Sequence, residues 1–211
     1  MWACEMVQYT KNPPLIEADV QRDPFAQFAA WLADAKAAGM IEPTAMTLAT
    51  VDADGRPSAR VVLMRGVQDG ALRFFTNYDS RKGAALAANP FAAATFWWDK
   101  LERSVRFEGT IAKLNAEESA EYFHTRPRGS QIGAWTSHQS QVVPSRAVLE
   151  ARLAVNQQRF AEDEVPLPAF WGGYALRPDV MEFWQGRDDR LHDRLRFRRN
   201  GGSWVLERLE P

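Results

Sequence analysis

Between residues 45 and 114 apolar side chains recur at every second position, in AMTLATVD, SARVVLMRG, ALRFFTN, FAAATFWW and RSVRFEGTIAKL. That period marks strands with one buried face, and a slip of one residue would turn each apolar set toward water. Asp54-Gly55 and Gln68-Asp69-Gly70 separate the first pieces, residue types that accept the left-handed backbone of tight hairpins. At least five strands with short connections are therefore predicted. The pattern returns in GGYALRPDVMEFWQ, RLHDRLRFRR and SWVLERL, the last two joined at Asn200-Gly201.

Helices are predicted around and between the strands. Asp23-Pro24 reads as an N-cap followed by proline at the first helical position, with Phe25, Phe28, Leu32 and Ala35 on one face and Gly39 as the stop. Ser80 caps a short helix that ends at Asn89-Pro90. Asn115-Ala-Glu-Glu118 opens a helix carrying Tyr122 and Arg126, and residues 145–162 read as amphipathic. Residues 1–22, with Pro13-Pro14 and no sustained period, read as a flexible arm, leaving 23–211 as one domain. The expectation is an α+β fold: an antiparallel β-barrel with peripheral helices, in place of a doubly wound sheet.

Composition excludes several classes. Twenty-six Lys plus Arg against 27 Asp plus Glu leave a net charge of -1, so nucleic acid and membrane are not expected partners. One cysteine rules out an internal disulfide framework, and a cytoplasmic setting is expected. The sequence has no run approaching the ~20 apolar residues of a spanning helix and no readable secretory signal. GxGxxG, P-loop, GxSxG and HExxH motifs are absent, and His124, His138 and His192 are not spaced as metal ligands.

Basic residues instead collect at strand ends and turns: Arg60 and Arg65 around VVLM, Arg81-Lys82 at a helix start, and Arg126 and Arg128 around Pro127. Taken singly, such residues are usually solvated. A helix N-terminus adds free N–H groups and partial positive charge, which makes Ser80-Arg81-Lys82 a chemically sound phosphate cradle. In YFHTRPRGSQIGAW, Tyr122, Arg126 and Ser130 would bring phenol, guanidinium and hydroxyl donors together beside a turn, a set suited to a phosphate ester. In FWQGRDDRLHDRLRF, strand geometry would put Arg190, His192 and Arg194 on one face, able to lie over a flat anionic heteroaromatic ligand. An exposed face paired with Asp188 and Asp189 is the alternative.

These segments together resemble the pyridoxamine 5'-phosphate oxidase family, FMN enzymes of vitamin B6 metabolism. The resemblance runs from about Asp23 to Pro211 through EPTAMTLATVDADGRPSARVVLMRG, FFTNYDSRKG, YFHTRPRGSQIGAW, SHQS, VPLPAFWGGY, EFWQG and RLHDR, and ends in RLEP. It implies an FMN-binding split barrel and a homodimer with FMN at the subunit interface. Carried over by motif position, Arg60, Arg65, Phe75, Thr76, Arg81, Lys82 and Ser104 fall at cofactor positions. Gln139, Ser140, Trp184 and Arg194 would complete that cofactor site from the other subunit. Arg65, Tyr122, Arg126 and Ser130 would hold the substrate phosphate, with Arg190 and His192 positioning the pyridine ring as the catalytic pair.

The implied reaction takes a hydride from pyridoxamine or pyridoxine 5'-phosphate to the flavin, which O2 reoxidises with release of H2O2, leaving pyridoxal 5'-phosphate. No metal is implied. The chain departs from the family pattern at Arg65 (usually lysine), Ser104 (usually glutamine), Phe75 (frequently tyrosine) and Met6 (an arginine in some members). An oxidase of the phenazine-biosynthesis type and a non-catalytic FMN or pyridoxal phosphate carrier are the alternatives.

Overall fold

Every strand predicted between residues 45 and 114 is present in the computed structural model, which describes residues 9–211; Trp2, Cys4 and Met6 lie outside the described residues. In chain order the elements are α1 (Pro24–Ala37), β1 (Ala45–Val51), β2 (Pro57–Leu63), β3 (Val67–Gln68), β4 (Ala71–Asn77), α2 (Arg81–Ala88), β5 (Phe91–Trp98) and β6 (Arg103–Lys113). Then follow α3 (Ala116–Thr125), α4 (Arg128–Thr136), α5 (Arg146–Arg159), β7 (Trp171–Gln185), β8 (Asp193–Asn200) and β9 (Ser203–Arg208).

The strands form one antiparallel sheet in the order β2-β1-β5-β6-β7-β4-β3, with β8 on β7 and β9 on β8. Strand β7 makes this branching possible. Its first half pairs with β4 and its second half with β8, while β6 runs along both. The change of partner falls at Pro178, which lacks a ladder N–H, opposite a bulge between Glu108 and Gly109. The end of β2 returns to β4, where Arg65 N donates to Arg73 O at 2.7 Å and Arg73 N to Gly66 O at 2.9 Å, so the sheet closes on itself.

Alternation decides what fills the interior. Leu48, Phe96, Val105, Phe107, Met181, Phe183 and Leu195 are fully buried, and α1 covers the barrel with Phe28 and Trp31. A second apolar cluster of Phe123, Ile132, Phe160, Val165 and Trp171 fixes α3 and α4 against the start of β7. The predicted caps form: Asp23 accepts from Phe25 N, Ser80 from Gly83 N, and Asn115 and Glu118 make a reciprocal capping box. Residues 9–22 run across the sheet, where Gln185 Nε2 donates to Pro13 O at 2.6 Å and Leu15 N to Asp193 Oδ2 at 3.0 Å.

Two local expectations are corrected. Residues 190–192 are not strand: a 3-10 turn spans Asp188–Arg190, Asp189 and Arg190 have positive φ, and β8 starts only at Asp193. The left-handed turn breaks the alternation that would have aligned Arg190 and His192 with Arg194. The turn expected around Ser130 is also replaced, by the helix α4, which starts right after Pro127. Arg126 itself is the C-cap of α3, driven to extended backbone by the following proline.

Candidate functional site

A cleft of about 300 Å³ opens between the end of β2, β4, the start of α2 and α3. Arg60, Arg65, Phe75, Thr76, Lys82, Tyr122, Arg126, Gln139 and Trp171 are among its lining, with no carboxylate among them. Local structure dictates each position. Arg60 is tied down by its own strand pair, donating to Leu48 O at 3.0 Å, Thr50 Oγ1 at 2.9 Å and Ser58 Oγ at 2.8 Å. Ser80 caps α2 and thereby fixes Lys82, whose ammonium donates to Ser80 Oγ and to Gln139 Oε1. Thr76 Oγ1 donates to the same Gln139 oxygen at 3.1 Å. Arg126 stacks over Trp171 at 4.7 Å, and Trp171 lies nearly parallel to Phe75 and Tyr122.

The electrostatics of this cleft are unbalanced. Burial, then the neighbouring Arg60, pushes the Lys82 ammonium down to about 8. Burial likewise lowers Arg60, with Arg81 adding repulsion, and lowers Arg126, where Arg65 also repels while Tyr122 opposes the shift. Arg126 Nη1 is buried with no hydrogen-bond partner among the described residues. Four cations, one with an orphaned donor, and no acid make a site that an anion would relieve. Phosphate esters are the matching chemistry, since a guanidinium fork and an ammonium both donate to their oxygens.

A second cleft, of about 430 Å³, shares no lining residue with the first. Thr95, Trp97, Ser104, Arg106, Glu182, Trp184, Arg194 and Pro211 surround it. Register explains the grouping. Ser104 sits opposite both Trp97 and Trp184, and Trp184 opposite Arg194, so one outward face of β5, β6, β7 and β8 carries them all. The rings of Trp97 and Trp184 are 5.8 Å apart and inclined at 56°, which gives the face an aromatic wall. His192 packs 4.7 Å from Trp184, and Tyr9 meets both rings edge-on. Its Nδ1 accepts the Arg187 N–H at 3.1 Å, so the neutral ring carries its proton on Nε2. Burial and then Arg190 lower its pKa, favouring that neutral form.

The predicted site residues therefore divide. Arg60, Arg65, Phe75, Thr76, Lys82, Tyr122 and Arg126 meet in the first cleft, and Ser104, Trp184 and Arg194 in the second. Gln139, expected to act from the other subunit, bonds Thr76 and Lys82 of its own chain. Arg81, Ser130, Ser140 and Arg190 are exposed and line neither cleft. Sequence reasoning missed Trp171, Trp97, Arg106 and Glu182. For the last two the signal was present, because period two places Arg106 with Ser104 and Glu182 with Trp184.

Comparison with known proteins agrees with this geometry. Residues 32–159 match the model of the pyridoxamine 5'-phosphate oxidase family, and residues 171–211 match the pyridoxine 5'-phosphate oxidase C-terminal dimerisation region. The chain is 57% identical over 195 residues to a pyridoxine/pyridoxamine 5'-phosphate oxidase of Salinibacter ruber, covering 91% of each protein. It is 56% identical over 200 residues to the protein of the same name from Burkholderia multivorans, covering 93% of each. Among solved structures, PhzG from Burkholderia lata, crystallised with tetrahydrophenazine-1-carboxylic acid, superposes with a TM-score of 0.87 at 32% identity, covering 94% of this chain and 98% of that one. A pyridoxamine 5'-phosphate oxidase-related FMN-binding protein from Nostoc punctiforme shares the fold, with a TM-score of 0.74 at 16% identity, over 91% of this chain and all of that one. With both of its matched regions and a barrel of this build, the chain belongs to the pyridoxamine 5'-phosphate oxidase family.

Proposed function

We propose that the protein oxidises pyridoxamine 5'-phosphate and pyridoxine 5'-phosphate to pyridoxal 5'-phosphate, with FMN as cofactor, O2 as electron acceptor and H2O2 as product. Relatives of that name at 55% to 57% identity support the reaction. The observation that carries the reading within this chain is the carboxylate-free first cleft, with its buried ammonium and its unpartnered guanidinium donor. FMN fits there because its phosphate would supply the missing negative charge. Arg60, Thr76, Lys82 and Gln139 would hold the phosphate end, with Arg81 and Ser140 beside them in sequence.

A phosphorylated substrate needs an anchor of its own. Arg65, Tyr122 and Arg126 line the same cleft near one another, and Ser130, in the first turn of α4, would close that anchor from its exposed side. Trp184, Arg194 and Ser104 present an aromatic and cationic wall suited to a flavin ring, with Arg190 and the neutral His192 beside it to orient the pyridine. The two walls sit in separate clefts of one chain. We therefore place the complete site at a homodimer interface, the first cleft of one protomer facing the second cleft of its partner, a role consistent with the dimerisation region at residues 171–211. Residues 23–211 are read as the single catalytic domain, 1–22 as an arm beside it, and the setting as cytoplasmic.

The chemistry that FMN supplies when bound is acceptance of a hydride equivalent and its return to oxygen. The side chains contribute positioning. Two separate phosphate anchors fix one flat ring against another, which converts an encounter into an oriented contact. His192 contributes an Nε2–H donor and no base, because its Nδ1 is occupied by the Arg187 N–H.

Oxygen consumption by the FMN-loaded protein, with pyridoxamine 5'-phosphate beside unphosphorylated pyridoxamine, tests the reading. Uptake with the phosphate ester alone is expected. Equal uptake with both would remove the substrate-phosphate anchor, and a flavin-loaded protein that consumes no oxygen with either would overturn the oxidase in favour of a carrier.

A further inference from the structure

Among the side chains that line the second cleft one is a carboxylate, Glu182, and its surroundings are unusual. Glu182, on β7, is only 4% exposed yet belongs to the outward face that lines the cleft. A buried carboxylate is costly unless it is paired and hydrogen-bonded. Glu182 has both oxygens engaged: Oε1 accepts from Arg194 Nε at 2.8 Å and Oε2 from Arg106 Nη2 at 2.6 Å. Arg196, directly opposite Glu182 on β8, does not use it, because Arg196 is held by Glu207 at 3.0 and 2.6 Å. The acid therefore serves the two arginines that line the cleft, Arg106 directly opposite it on β6 and Arg194 on β8, and not Arg196, its opposite on β8.

Arg194 is fastened a second time. Its Nη1 donates to Glu210 O at 2.9 Å, and its own carbonyl accepts Leu209 N at 2.9 Å. A planar guanidinium held through Nε on one side and Nη1 on another keeps little rotational freedom. The remaining Nη2 donors are then aimed by the clamp. The Glu182 hydrogen bond also keeps Arg194 firmly cationic, raising its pKa.

We infer that Glu182 is a positioning residue: braced by Arg106, its carboxylate fixes the Arg194 guanidinium so that Nη2 faces the FMN bound against this wall. The inference rests on the reading of this cleft as part of the FMN site. A stabilising cross-strand ion pair would account for the same distances, and it differs in one respect. It would act on FMN binding independently of Arg194.

The test is a double-mutant cycle on the FMN dissociation constant, read by quenching of flavin fluorescence as apoprotein is added, with the melting temperature of each variant measured alongside. Glu182→Gln is expected to weaken FMN by about tenfold, the scale of one lost charge-assisted hydrogen bond. Arg194→Ala should weaken it at least as much, and adding Glu182→Gln to Arg194→Ala should change it no further. Effects that multiply in the double variant, or unchanged affinity in Glu182→Gln beside a weakened Arg194→Ala, overturn the positioning role. Unchanged affinity in Arg194→Ala overturns the reading of the cleft, and the inference falls with it.

Should Glu182→Gln fail to fold, Arg194→Lys decides. Lysine keeps the charge but cannot hold both anchors and still present a directed donor. Loss equal to that of Arg194→Ala supports the clamp, and wild-type affinity in Arg194→Lys overturns it.

Discussion

Lys82 concentrates the logic of the site in one side chain. It is 8% exposed, sits in the first turn of a helix, and has Arg60 for an electrostatic neighbour, which together bring its pKa down to about 8. A depressed ammonium pKa has two consequences of opposite sign. In the ligand-free protein the unfolded chain binds the proton more tightly, so this group makes stability rise with pH from about 8 toward the ordinary lysine value. An anion binds the protonated form, so FMN affinity should be level below pH about 8 and fall above it, by up to about tenfold per pH unit for the single proton. Titrating FMN into apoprotein from pH 7 to 9.5 checks this, and Lys82→Met should both weaken binding at pH 7 and remove that decline. A decline that survives in Lys82→Met would assign it to another group. The importance of Lys82 was legible in the sequence, because a capping serine followed by Arg-Lys has a direct physical reading. Period two put Glu182 on the face of Trp184, but its pairing was not legible, since its partners lie on two other strands and only the register brings them together.

At the scale of elements, the site depends on how closely α2 can approach the turn before it. A Cβ on Gly83 would lie 1.9 Å from the Tyr78 carbonyl oxygen, a backbone atom that cannot yield as a flexible side chain would. Gly83→Ala must therefore push the first turn of α2 outward, taking Lys82 with it. A loss of about 1–3 kcal/mol of stability is expected from the overpacking, together with FMN retention well below that of wild type. Thermal unfolding and the flavin content of the purified variant measure the two, and normal flavin content would show that the cradle tolerates the shift. Elements with strong local signals were the legible ones: α1, α2 and α3 each carry a side-chain cap, and β1, β2 and β6 alternate in burial along most of their length. Helix α4 has Pro127 at its N-cap with no capping hydrogen bond and glycines at 129 and 133, so nothing local announced it; burial of Ile132 against Phe123 and Phe160 holds it in place. The turn at 188–190 was hidden for a related reason. Asp189 and Arg190 take left-handed backbone without glycine, against the usual preference, and strand alternation read across them failed.

For the whole molecule the decisive fact is that one chain holds the two proposed walls of the site in clefts without a common residue. The dimerisation region covers β7, β8 and β9, which are the strands that carry Trp184 and Arg194. A two-fold symmetric dimer would use the same patch on both copies and so generate two identical composite sites. This arrangement makes a prediction that no single-chain site can meet. Take Lys82→Ala, defective in the first cleft, and Arg194→Ala, defective in the second, each with little activity alone. In a mixed dimer one composite site receives both defects and the other receives none. Random re-association of equal amounts gives half mixed dimers, each with one intact site, so activity should recover to about a quarter of wild type. Mixing the two apoproteins under conditions that allow subunit exchange, adding FMN and measuring oxygen uptake with pyridoxamine 5'-phosphate reads this directly. If both walls served the same ligand within one chain, every site in the mixture would carry one defect, and the activity of the mixture would stay at the average of the two variants.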